Sequence, residues 1–456
     1  MRHLILSAAI PALMLGACAT TAPVAEAPAQ QAAQRGPAPH FPADLSPAGV
    51  AAADDHLALE QVDGAEAMAF VAESNRKALA VLEGDRRYET FRQQAQAILT
   101  ATDRIPSPSF LGDGVGNFWQ DAANPKGVWR RTTLDSYRTD TPQWETLIDV
   151  DALARAEGKD WVWKGVSCLA PDETRCLVNL SDGGKDAVVV REFDTTTKRF
   201  VDGGFVLPEG KHRISWLDRD TLLIATDFGA ENGRPTLTES GYPYIVKSLK
   251  RGQTLAQATE VYRGQQGDGG YGVSPAVYRD KDGNVEAVLF NRPLDTFRAE
   301  TWEWVDGRPV RLNIPERVSI YGVTRGALIF VNDEAWTHMT KAIAPGTLLS
   351  PCLQCLRARS TNDAPISNRA FEILAPGERQ SIDSVRVLDG EVAVSISDNV
   401  VGRLARFRDR GEFGWDRTDI AVPANSAVGL GDSSKSRGEV FVSTQGFLTP
   451  PTLNLS

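Results

Sequence analysis

The chain has 456 residues, of which 42% are hydrophobic and 24% charged, with a net charge of −10. That length allows two or three ordinary domains or one large repeat architecture. The 49 Lys and Arg residues are scattered along the chain. No basic stripe exists to displace counterions from phosphates, so nucleic-acid binding is excluded as the main task.

Arg2 followed by apolar Leu4 to Leu15 reads as an export signal, too short to remain as a membrane span. It ends in Leu15-Gly16-Ala17-Cys18, small residues before a cysteine as in a bacterial lipobox. Residues 1–18 are therefore expected to be a lipoprotein signal, with lipid attached at Cys18. The alternative is an ordinary secretory signal with an incidental cysteine. Residues 19–50, rich in Ala, Pro and Gln, read as a flexible tether. The expected location is the periplasmic side of a bacterial cell envelope, touching the membrane through the lipid alone.

Export bears on the other cysteines. Cys168 and Cys176 flank the loop Leu169 to Arg175 between two apolar runs. An oxidising compartment favours a disulfide across that hairpin, the alternative being two partly buried thiols. Cys352 and Cys355 form a Cys-Leu-Gln-Cys run. Such a run can be a redox pair, half a zinc site or a tight disulfide. There is no second such run and the nearest histidine is His338, so a local structural pair is expected, with no metal and no cofactor.

Residues 51–105 have helical periodicity. Met68, Val71, Leu79 and Leu82 share one side, and Tyr88, Phe91, Ala95 and Ile98 repeat at spacings of three and four. Gly84-Asp85 separates the two stretches. From residue 110 to 456 short apolar runs alternate with Asp/Gly/Asn turns, the mark of a sandwich, barrel or propeller. Comparable strand–turn–strand units begin near Trp163, Ile214, Val273, Val318, Ile382 and Val428. A helix over Ala152 to Gly158 is the one clear helical insertion. Seven units would average roughly 49 residues each, a reasonable blade length.

The most informative run is Asn117 to Tyr137, NFWQDAANPKGVWRRTTLDSY. Phe118 to Gln120 and Val128 to Thr133 suit strands, and Ala122 to Gly127 suits the reversal. Phe118, Trp119 and Trp129 are expected to pack, with Arg130 and Arg131 on the polar side. This run resembles the start of the propeller domain in bacterial members of the prolyl oligopeptidase family. So do the stretches WVWKGVSCLAPDETRCLVNLSDGGKDAVVVREFD and LTESGYPYIVKSLKRGQTLAQATEVYRG. The helical stretch from Asp54 resembles the family's N-terminal arm, although Leu57-Ala58-Leu59-Glu60 stands where a tryptophan usually precedes Leu-Glu. The resemblance implies a mainly β fold: a seven-bladed β-propeller over residues 110–456, preceded by a short helical arm over 51–105.

Members of that family cut short peptides with a Ser–Asp–His triad on an α/β-hydrolase domain, whose serine sits in a G-x-S-x-G elbow. No such elbow occurs here. Gly272 to Ala276 and Gly431 to Lys435 come nearest, and both lack the closing glycine. His338 is the last histidine, so Ser433 has no downstream base. His56, His212 and His338 read as structural or solvated, and Glu300 and Glu303 as surface carboxylates. The closing stretch FVSTQGFLTPPTLNLS resembles the exit from a final blade. The resemblance implies the arm and propeller of a prolyl-oligopeptidase-type serine endopeptidase for short peptides, with the hydrolase domain missing from this chain, truncated or split, so that the propeller gates through its tunnel without catalysis. The alternative is a free-standing lipoprotein propeller that binds peptide or protein. The resemblance also places Lys211 and Arg213 near the substrate-facing mouth, where either could meet a peptide carboxylate.

Overall fold

The computed structural model describes residues 56–61, 64–231, 233–338, 341–357 and 372–456. Cys18 and the expected signal and tether lie outside them. The described chain forms two compact units, divided between Ala101 and Thr102.

The first unit is helical. Helix α1 spans Ala65–Glu83 and α2 spans Tyr88–Leu99. Gly84 ends α1, and the Asp85 carboxylate accepts the Arg87 N–H at 2.8 Å where α2 begins. Pairs such as Glu73–Arg76 and Glu89–Arg92 support the exposed faces, each worth only a few tenths of a kcal/mol. The apolar stripe read from the sequence is present, yet Met68, Val71, Leu79, Leu82, Phe91 and Ile98 are 47–59% exposed.

The second unit is a seven-bladed β-propeller. Its seven main sheets follow one another along the chain, and six of them have at least four strands in simple meander order. The innermost strands are Ser109–Leu111, Trp161–Cys168, Arg213–Asp218, Ser274–Arg279, Val318–Thr324, Gln380–Val387 and Ser426–Ser434. The expected starts of blades 2 to 7 thus fall within two residues of these. Blade 2 gains a strand, Val206–Gly210, paired to Val188–Asp194. Blades 3 and 5 carry two-stranded hairpins, and blade 7 has three described strands. In blades 2 to 7 the innermost strand shifts register against its neighbour. Such bulges increase local twist, which suits strands crowded at the axis of a ring.

The sheets bury both faces, and the sequence shows it in the apolar runs of second strands such as residues 222–225 and 327–331. Thr221–Ala225 and Ala327–Asn332 are wholly buried. The described core divides into seven clusters, one for each seam between neighbouring blades. The seam between blades 1 and 2 contains the aromatic hairpin. Phe118 stacks on Trp163 at 5.1 Å, and Trp129 meets Trp163 at 5.6 Å and Phe193 at 5.7 Å. The seam between blades 7 and 1 is the smallest, with Phe110, Val115 and Phe441 as its buried members. Among the described residues no strand is shared across it. Phe110 stacks on Phe441 at 4.6 Å, and the Asp432 carboxylate accepts the Phe110 N–H at 2.8 Å.

Several expectations need correction. Arg130 is not on a polar face. Its guanidinium lies 4.6 Å from the Trp119 ring and 4.2 Å from the Trp144 ring, while Asn117 Oδ1 accepts from its Nε at 2.8 Å. Trp144 lies just beyond the run, which ends at Tyr137, so the run itself shows only one ring of this sandwich. Arg131 does face outward, paired with Glu145. Glu300 and Glu303 are not surface carboxylates. Glu303 is buried and accepts from Nε and Nη2 of the Arg357 guanidinium, and Glu300 pairs with Arg292 and Arg311. The helix near Ala152 runs over Val150–Glu157, capped by Asp149 and closed by Gly158 in the left-handed conformation. A short helix at Leu134–Tyr137 was not anticipated. Cys168 is joined to Cys176, directly opposite in the hairpin, and Cys352 to Cys355.

Trp129 is 3% exposed at the busiest aromatic seam. Trp129→Ala should cost about 3–5 kcal/mol, read as a lower denaturation midpoint with an unchanged slope. A loss below about 1 kcal/mol would show that the hairpin does not anchor blade 1.

Candidate functional site

A meander of four strands places two kinds of connection at the two ends of the ring. Turns from first to second strands gather at one mouth, here the turn-side mouth. Chain entries to the first strands, and turns from second to third strands, gather at the other, the entry-side mouth.

Lys211 and Arg213 lie at the entry-side mouth, where blade 2 leads into blade 3. Lys211 Nζ sits 3.2 Å from Asp186 Oδ2 and 4.3 Å from the centre of the Tyr242 ring. The bond to Asp186 raises the lysine above its usual pKa. Arg213 donates from Nη2 to the Tyr271 carbonyl at 3.3 Å. Tyr271 in turn meets Tyr242 edge to face at 5.5 Å. The two cations therefore converge with two tyrosines, neither of which the sequence reading singled out. The available signal was the run Gly269-Gly270-Tyr271-Gly272. Gly270 and Gly272 have φ of 77° and 79°, and a Cβ at Gly272 would lie 2.5 Å from the Pro243 carbonyl oxygen. Only glycine permits that close approach, which leaves Tyr271 59% exposed.

Tyr271 has company at this mouth. Phe297, Val400, Phe447 and Leu448, each at least 76% exposed, occupy second-to-third-strand turns of blades 4, 6 and 7. Single exposed apolar side chains are common, and it is several at one mouth that suit a docking surface.

His212, between the two cations, has a structural role. Its Nδ1 lies 2.8 Å from Thr226 Oγ1, and its Nε2 lies 2.8 Å from the Pro208 carbonyl and 3.1 Å from that of Val188. Nε2 carries a proton for those carbonyls, and burial lowers the ring's pKa. It is not available as a base. Ser274 opens the innermost strand of blade 4, and Ser433 lies near the end of that of blade 7. The structure brings neither to His212. Among the described residues, no three His, Cys, Asp or Glu side chains are grouped to hold a metal ion.

The turn-side mouth is polar. A cavity of about 500 Å³ between blades 1, 2 and 7 is lined by Gly112, Arg131, Glu173, Thr195 and Arg437 among others. Glu173 accepts the Gly112 N–H at 2.7 Å. Burial, with Asp432 and Asp172 nearby, pushes its carboxyl up to about 7.

A seven-bladed propeller preceded by a helical arm defines the class. Residues 42–288 match the family profile "Prolyl oligopeptidase, N-terminal beta-propeller domain". The chain belongs to the prolyl oligopeptidase family. An uncharacterized peptidase of Sinorhizobium fredii is 39% identical over 408 residues, covering 88% of this chain and 54% of its own length. One of Rickettsia prowazekii is 25% identical over 418 residues, covering 87% and 55%. The chain thus spans about half the length of these relatives. Among solved structures, a post-proline cleaving enzyme from Rickettsia typhi aligns with a TM-score of 0.77 at 24% identity, over 87% of this chain and 58% of that one. Oligopeptidase B from Leishmania major aligns at 0.59 with 14% identity, over 84% and 52%. At these identities the structures show a shared fold.

Glu173 yields a pH test. Its folded pKa, about 7, is above the ordinary carboxylate value, so the folded state holds this proton more tightly. The associated stability is present in acid and is lost as pH rises through about 7. Glu173→Gln should match the parent near pH 4, below the unfolded carboxylate pKa, and exceed it at pH 8, by about 1–3 kcal/mol in chemical denaturation. An equal difference at both pH values would contradict the assignment.

Proposed function

We propose that this chain is the propeller part of a serine peptidase of the cell envelope that acts on short peptides, and that an α/β-hydrolase domain outside these 456 residues performs the cleavage. The observation that carries this reading is the exposed apolar set Tyr271, Phe297, Val400, Phe447 and Leu448 at the entry-side mouth. A domain seated there would remove those side chains from water, at roughly 25 cal/mol per Å² of apolar surface. The exposed stripe of α1 and α2 is a second surface suited to such a domain. The match to about half the length of its peptidase relatives supports the same division of labour.

In this arrangement the propeller supplies no catalytic group. It limits substrate size, since a folded protein cannot enter a ring of seven blades. Arg213 and Lys211 attract the peptide's carboxylate, and Tyr242 and Tyr271 offer flat apolar surface beside them. Arg213 is the stronger candidate, because Lys211 already has Asp186. Attachment to the membrane through lipid at Cys18 is part of the proposal.

Offered a chromogenic proline-containing peptide, the chain alone should give no turnover and no labelling by a serine-reactive fluorophosphonate. Labelled turnover would overturn the assignment of catalysis to a separate domain. Binding of a short proline-containing peptide should weaken about tenfold in Arg213→Ala, a loss of roughly 1.4 kcal/mol. Unchanged binding would remove Arg213 from the peptide site. Radiolabelled palmitate should enter the chain in a bacterial host and should not enter Cys18→Ala.

A further inference from the structure

Gly431-Asp432-Ser433-Ser434-Lys435 resembles a nucleophile elbow only in part, and its serines have no base. The use of the run lies in its last residue. Lys435 follows the innermost strand of blade 7 at the turn-side mouth. Its Nζ donates to three acceptors, none of them in blade 7. Two are backbone carbonyls, Arg279 at 2.6 Å and Val323 at 2.6 Å, at or near the ends of the innermost strands of blades 4 and 5. The third is Glu286 Oε2 at 2.8 Å, at the start of the second strand of blade 4. In a ring of seven, blade 4 stands across the axis from blade 7. The lysine therefore reaches over the mouth.

The other end of Glu286 is also engaged. Its Oε1 accepts the Arg325 N–H of blade 5 at 2.6 Å. The Lys435 and Glu286 side chains are only 20% and 13% exposed. An ammonium has three N–H groups, and here all three are directed to acceptors on the far side of the ring. The remaining turns also crowd this mouth. A Cβ at Gly283 of blade 4 would lie 2.6 Å from Pro171 Cδ of blade 2. Arg325 of blade 5 pairs with Asp389 of blade 6 at 3.6 Å.

We infer that Lys435 is an axial latch that ties blade 7 to blades 4 and 5 and holds the turn-side mouth of the propeller shut. The propeller is then a cup with one opening, at the entry-side mouth, rather than an open tube. The latch also bears on ring closure. The seam between blades 7 and 1 has no shared strand, and Lys435 gives blade 7 a second attachment, made across the axis instead of along the rim. This inference depends on the fold alone and holds whether or not a hydrolase domain is involved.

Two measurements on the whole chain test it. In the parent protein, acylation by a small amine-reactive ester, followed by mass spectrometry, should modify Lys435 at least about tenfold more slowly than Lys281. Lys281 lies in the facing turn of blade 4, with 49% of its side chain exposed, and is the internal control. In Lys435→Met, which keeps the length and removes the charge, amide exchange should quicken at residues 279–286 and 323–326. Arg325 is the direct reporter, because its N–H is held by the carboxylate that loses its cation. Faster exchange confined to residues 426–446, or equal acylation of Lys435 and Lys281, would overturn the latch. The acylation comparison needs no variant, so it decides the question even if Lys435→Met folds poorly.

Discussion

Everything in this propeller depends on burying both faces of seven twisted sheets against one another. A sheet with two apolar faces cannot stand alone in water, and a row of such sheets ends only where it closes on itself. The seven seam clusters are that constraint made visible. Their sizes differ, and the closing seam is the smallest, with Phe110, Val115 and Phe441 buried. There the apolar contact is supplemented by directed bonds, with Asp432 accepting from Phe110 N–H and Arg437 donating to the Asp113 carbonyl. Charged groups taken into other seams are paired with two-pronged geometry. Glu192 of blade 2 is held by Arg251 of blade 3, and Glu303 of blade 4 by Arg357 beside blade 5. Buried charges of this kind add little net stability, and breaking either pair would leave an unsatisfied ion.

The two mouths divide the chemistry between them. At the turn-side mouth, short first-to-second-strand turns bring main-chain carbonyls and acidic side chains close to the axis. Lys435 answers three of those acceptors at once. At the entry-side mouth the connections are longer, and they present aromatic and aliphatic tips outward. The same meander topology thus gives the two ends different connections, Lys435 crossing one and Tyr271, Phe297, Val400, Phe447 and Leu448 standing out at the other.

Much of the architecture was legible because propeller strands are short, apolar and punctuated. The starts read near Trp163, Ile214, Val273, Val318, Ile382 and Val428 match the observed first strands closely. Local turn chemistry carries that information, since each turn needs its Gly, Asn or Asp whatever surrounds it. A local pattern does not reveal a side chain's partner when that partner comes from another segment of the fold. Arg130 looked like a surface cation until Trp144 folded over it. Glu303 looked solvated until Arg357 reached it from the next blade. Tyr271 was overlooked because a single tyrosine among glycines has no periodicity to mark it.

By itself, the sequence determined the family, the order of helical arm and strands, and the absence of a G-x-S-x-G elbow. These follow from local composition and spacing, which need no knowledge of what meets what. Only the tertiary structure decided which residues face each mouth, how the first and last blades close the ring, and what Lys435 does. Those outcomes depend on contacts between residues more than a hundred positions apart, such as Lys435 with Val323 and Arg279. No local pattern encodes such a pair, because its distance is set by the ring as a whole.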